Sequence, residues 1–187
     1  MRSLNGFAFI ALLWLIAVND ANPLTVQSYS ERDALDIYRI VLPSAVKNPA
    51  LVVTTTLNPT MCVPRGEDMP NDEFRAALAH FRDVNQQTWD ISLLLRSDTA
   101  ISRSEIDSFF ERGVMEGWEH FRREHHRNLS YVAVSAIGFS AHHTVAIVYS
   151  EVRCGPKCGT GGFRYFRRMH DRWTEVTGRI PNCAWIS

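Results

Sequence analysis

Tyr131–Val176, YVAVSAIGFSAHHTVAIVYSEVRCGPKCGTGGFRYFRRMHDRWTEV, is the stretch where the apolar period changes from that of a helix to that of a strand. Residues 131–139 and 144–152 are rich in β-branched and aromatic side chains and flank the polar turn Ser140–His143, which predicts a hairpin. Residues 163–169 and 172–176 predict a second pair around His170-Asp171. Between the pairs lies Cys154–Gly162, CGPKCGTGG, a connection with two cysteines and several glycines. Read in order, these segments form an antiparallel meander of four strands.

Upstream of the meander the pattern is helical. Ser30-Glu31-Arg32-Asp33 resembles a capping box, Ala34, Ile37, Tyr38 and Val41 share one face, and Pro43 is the expected stop. Asn71 opens a second helix carrying Phe74, Ala77, Leu78 and Phe81, expected to fray near Asn85. Ser102, with Glu105 three residues on, opens a third, with Ile106, Phe109 and Phe110 on its buried face. A kink or break is expected near Gly113, after which Trp118 and Phe121 resume the apolar stripe. Residues 51–56 read as a strand, and residues 90–95 fit either a strand or a packed linker. The expected class is α+β: N-terminal helices packed on one face of a C-terminal four-stranded antiparallel meander, in one domain over 22–187.

Residues 1–21 read as a secretory signal peptide. Arg2 supplies the basic end, and the apolar run Gly6–Val18 is shorter than the roughly 20 residues a membrane span requires. Cleavage is expected after Ala21. No comparable run follows, so no stable membrane span is expected after cleavage, and the localisation is secreted or periplasmic.

Lys+Arg and Asp+Glu both number 20, a balance that offers nothing to nucleic acid or to an anionic surface. The partner expected is one of the envelope or the extracellular space. In that compartment the four cysteines pair, and three connectivities exist. Gly155 and Pro156 allow the chain to turn back sharply enough for Cys154 to meet Cys158, which leaves Cys62 for Cys183.

The C-terminal third resembles a family of exported bacterial proteins. The resemblance rests on Ser135-x-x-Gly138-Phe139, the CG-x-x-CG-x-G loop from Cys154, Trp173 in the last strand, and the terminal Trp185-Ile186-Ser187. It implies that Cys154 and Cys158 belong together and that Cys62 and Cys183 are particular to this branch. It brings no activity with it.

Gly159, Gly161 and Gly162 form an anion-binding nest if their N–H groups converge, with Arg153, Lys157 and Arg164 around it; alternatively they give positive φ to a disulfide-closed turn. Cys154 and Cys158 do not have thioredoxin spacing. His120, His125 and His126 lie close in sequence but lack a zinc-protease pattern, and no metal or cofactor is expected. No nucleophile elbow frames Ser135, and Asp107, Glu111, Glu116 and Glu119 fit the polar face of a helix. The resulting reading is a non-catalytic exported binding or accessory protein of the cell envelope. The alternative is an enzyme with a site near Cys154–Gly162 and His170 or His142 as general base.

Overall fold

The structure, a computed structural model, describes residues 32–45, 50–59, 63–95, 99–178, 180 and 184–187. The expected signal peptide, the expected cap at Ser30, Cys62 and Cys183 lie outside the described residues.

The elements run α1 (Arg32–Ala45), β1 (Leu51–Val53), α2 (Asp72–Val84), β2 (Ala100–Ile101), α3 (Arg103–Phe110), α4 (Val114–Glu124), β3 (Tyr131–Val134), β4 (Gly138–Phe139), β5 (Val145–Gly155), β6 (Cys158–Met169), β7 (Arg172–Glu175) and β8 (Trp185–Ile186). The strands form one mixed sheet in the order β2-β1-β3-β5-β6-β7, with β4 on β5 and β8 on β6. This corrects the expected four-stranded antiparallel meander. The antiparallel run is present, but β1 joins it in parallel with β3 and holds β2 in parallel on its other side. Parallel partners meet through long crossovers and so leave no turn signal between them. β2 and β8, at two residues each, are too short to show a period.

The helices also cover both faces of the sheet, not one. Alternation along the strands divides the core: Val132, Val134, Ala146, Val148 and Phe166 pack on α1 through Ile37, Tyr38 and Val41. Val145, Ile147, Tyr149, Phe163 and Tyr165 point the other way, onto Phe74, Leu78 and Phe81 of α2. On this second face Tyr131, Ala133, Leu51 and Val53 meet Ile106, Phe109, Trp118 and Phe121 of α3 and α4. With no solvated face, the central strands read as continuous apolar runs.

Local signals placed the helix ends well. The Asn71 side chain accepts from the N–H groups of Glu73 and Phe74, and Ser102 accepts from Glu105. Gly113, at φ 112°, separates α3 from α4. α1 continues two residues past Pro43, since a proline in the last turn removes one hydrogen bond without ending the helix. Residues 90–95 take the second of the two expected forms, a packed linker: Ser92–Leu94 make a short 3-10 turn, Ile91 is buried in the core, and Leu94 and Leu95 pack against it.

The fold is locked where β3 gives way to β4, at Ser135–Ile137. Ser135 is fully buried; its N–H donates to Tyr149 O (2.9 Å), and its Oγ accepts from Tyr149 N–H (2.8 Å). Its carbonyl receives the Tyr38 hydroxyl at 2.8 Å. Asn85, expected to fray, is instead 3% exposed: its Oδ1 accepts from Ala136 N–H (2.9 Å), while its Nδ2 donates to Ala136 O (3.1 Å) and Phe81 O (2.8 Å). Its side-chain amide thus serves as a strand partner for the interruption. One residue on, α2 presses so closely on Gly138 that a Cβ there would lie 2.4 Å from Ala77 O and from Phe81 Cβ. Ser135, Gly138 and Phe139 are therefore explained by packing: hydroxyl at the break, no side chain under the helix, ring on the next turn.

Candidate functional site

The sheet has two chemically distinct ends, joined by the long β5–β6 hairpin. At the tip, Cys154 and Cys158 are at disulfide-bonding distance with Cα atoms 5.0 Å apart, and Pro156-Lys157 make the turn. The glycines beyond are extended strand in register with β5. None of the glycines from Gly155 to Gly162 has positive φ; among the described residues only Gly113 and Gly178 do. What requires Gly159 and Gly161 is Trp185, whose indole lies over both: a Cβ on Gly161 would sit 2.5 Å from Trp185 Nε1 and 2.6 Å from Tyr149 Oη. Trp185 Nε1 donates to Tyr149 Oη at 2.6 Å, and the Arg153 guanidinium stacks on the indole with its Cζ 4.1 Å from the ring centroid. Burial holds the Tyr149 phenol above its usual range, against the lowering effect of the bond from Trp185.

The residues considered for an anion nest do not converge. Arg153 pairs with Glu151 at 3.3 Å on the face that carries Trp185. Lys157 is exposed at the turn. Arg164, in register with Val148, points to the α1 face, where its Nε donates to Glu175 at 2.7 Å and its Nη1 to Val41 O at 3.2 Å. Gly162 lies in the strand opposite Ser150.

The other end is built from side chains. His143 Nδ1 is 2.9 Å from Asp33 Oδ2, and its ring stacks on Phe139 at 4.6 Å. Arg168 Nη1 donates to both Asp33 oxygens, at 3.2 and 3.3 Å. On the opposite face Glu73 accepts from Thr144 Oγ1 at 2.6 Å and lies 3.7 Å from Arg167. Consecutive residues point to opposite faces, so carboxylates in the first turns of α1 and α2 grip the neighbouring pairs His143/Thr144 and Arg167/Arg168 from the two sides. His170 and Asp171, at φ 47° and 62°, form the β6–β7 turn with the left-handed pair of a two-residue hairpin. His142 is exposed beside His143.

This layout separates the histidines from the cysteine loop. His170 lies eight residues from Gly162 along β6, and His142 lies eight from that glycine's partner Ser150 along β5, so both histidines lie at least roughly 26 Å from Cys154–Gly162 and cannot serve a site there. Elsewhere, His120 and His125 pack edge-on to Phe109 at 4.9 and 5.5 Å, and His126 is exposed. Among the described residues no group of three or more His, Cys, Asp or Glu could hold a metal ion. Glu111 and Glu116 border a polar recess of about 490 Å³ between α3 and α4, together with Arg112, His120 and Arg123.

A second recess lies at the edge of the sheet, on the α2 side. α2 covers β4 and β5 but stops short of β7, leaving an open groove of about 490 Å³ lined by Phe74, Arg167, Met169, Thr174, Val176 and Ile180. A smaller recess of about 190 Å³ continues it over Tyr165, whose phenol burial pushes up to about 12. The groove is mainly apolar, with Asn71, Arg167, Thr174, Glu175 and Thr177 as its polar lining; the Arg167 guanidinium lies over Phe74 at 5.5 Å, and Met169 is 54% exposed on its wall. Beyond β7, Gly178 at φ 149° bends the chain so that Ile180 forms part of the wall.

No protein-family model, curated protein or solved structure matches this chain. Sequence reasoning passed over Asp33, Glu73 and Asn85, each of which reads as an ordinary helix-end residue. The role of Trp185 had a signal: glycines two apart on one face of a strand leave room for an aromatic ring from a neighbouring strand. The groove had none, because it is defined by where α2 stops.

Proposed function

We propose that this protein is an exported, non-catalytic binding or accessory protein of the cell envelope, and that its ligand-facing surface is the groove beside β6 and β7. The observation that supports it is the exposed apolar patch at the edge of an otherwise covered sheet, with Met169 54% exposed against Phe74, Val176 and Ile180. The basic residue and apolar run at Arg2 and Gly6–Val18, with the Cys154–Cys158 pair, support export. Among the described residues no helix is long and apolar enough to cross a membrane.

Two measurements test this reading. Fractionation is expected to place processed protein outside the cytoplasm; intact precursor confined to the cytosol would overturn export. A partner captured from envelope extract, identified and rebound in purified form, is expected to be retained by the wild type and lost by Met169→Asp. Equal binding by the variant would exclude the groove.

A further inference from the structure

We infer that the groove is the side-chain pocket of a strand-addition site: an extended peptide pairs with the outer edge of β7 and places alternate apolar side chains in the groove and a carboxylate against Arg172. This rests on the reading that the groove is the ligand-facing surface.

The backbone register specifies the form of the ligand. In the β6–β7 hairpin Met169 faces Arg172 across a two-residue turn, and Val176 N–H donates to Tyr165 O at 2.8 Å. Arg172, Thr174 and Val176 thus turn their N–H and C=O groups inward to β6, and Trp173 and Glu175 turn theirs outward. β7 ends the sheet, and among the described residues no strand pairs that outer edge. Outward ladder groups in a row call for an extended chain with its own free amides.

The side chains specify the ligand's sequence. Arg172, Thr174 and Val176 share the face of Met169, Arg167 and Tyr165, which is the face of the groove. Residues of an added strand opposite Thr174 and Val176 would lie along that recess, where the walls are apolar. The residue opposite Arg172 meets an exposed guanidinium, for which the described residues supply no ion pair, so the complementary side chain there is Asp or Glu. The neighbouring Arg167 is already matched by Glu73.

The test uses the mature full chain and two fluorescein-labelled peptides, Leu-Thr-Val-Thr-Asp and its reverse, which cover antiparallel and parallel addition. One of them is expected to bind, to slow hydrogen exchange at the Trp173 and Glu175 amides, and to lose about thirtyfold in affinity when the two amides that face β7 are N-methylated, both threonines in the antiparallel peptide or valine and leucine in the parallel one, which removes two backbone hydrogen bonds. Arg172→Glu is expected to reverse the preference, binding the Asp-to-Lys peptide about fivefold more tightly than the original. Binding that survives N-methylation without amide protection would overturn strand addition while leaving the groove as a side-chain site. If neither peptide binds, but the dye 1-anilinonaphthalene-8-sulfonate binds the wild type and not Met169→Asp, the inference falls and the groove reading stands. If neither dye nor peptide binds, both fall.

Discussion

The two ends of the β5–β6 hairpin solve the same problem, holding a long ribbon in place, with opposite means. At the tip the side chains have been stripped away: Gly159 and Gly161 leave a bare strip of backbone that a single indole, Trp185, covers, and a Cys154–Cys158 bridge closes the turn. At the far end the side chains are long and charged, and Asp33 and Glu73 each hold an arginine and a turn residue. The unusual sequence at the tip therefore serves shape, and the ordinary-looking sequence at the far end carries the polar network and opens onto the groove. Unusual composition marked a packing constraint here.

The comparison can be broken or sharpened by experiment. The largest effect is expected midway between the ends, where both depend on α2: Gly138→Val drives a side chain into Ala77 O and Phe81 and should cost about 3 kcal/mol in denaturant unfolding. A loss below about 1 kcal/mol would mean that α2 lifts freely from the sheet.

Alkaline unfolding probes the ribbon between the ends. Burial pushes the Tyr165 phenol up to about 12 from the ordinary 10, so the folded chain keeps this proton where the unfolded chain releases it. The corresponding stability is complete below pH 10 and is lost as pH rises from 10 towards 12, by up to about 3 kcal/mol. Tyr165→Phe should flatten that part of the stability curve; an unchanged curve would assign the transition to other groups.

At the tip, Gly161→Ala is expected to displace the indole and destabilise by about 2 kcal/mol in the wild type, yet to be nearly neutral in Trp185→Ala. Additive effects in that cycle would mean that the glycine serves something other than Trp185. The smallest effect is expected at the far end: Asp33→Asn should cost about 1 kcal/mol, because Arg168 and His143 are both partly exposed to water. It should also depend on salt, as the tip variants should not. Salt-independent loss at Asp33 would make the two ends more alike than their chemistry implies.

Much of the fold was legible in sequence, and the rest failed for identifiable reasons. Asn71, Ser102 and Gly113 act within one turn of the chain, so their caps and breaks could be read directly. The antiparallel pairs around Ser140–His143 and His170-Asp171 were legible because their turns are local. Pairing of Leu51 with Tyr131 was not, because nothing near either residue records a parallel partner that far along the chain. Asn85 was misjudged for the same reason: its partner, Ala136, is 51 residues away.

By itself the sequence determined the segments: which residues are helix, which are ribbon, where the turns fall and which cysteines are close enough to meet. These follow from backbone preferences and apolar period, which act over a few residues. Only the tertiary structure decided that the sheet is mixed and covered on both faces, that Gly159 and Gly161 make room for Trp185, and that α2 ends short of β7 to leave a groove. Those are matters of which distant surfaces press together, and such contacts are chosen by the packing of the whole core rather than by any stretch within it.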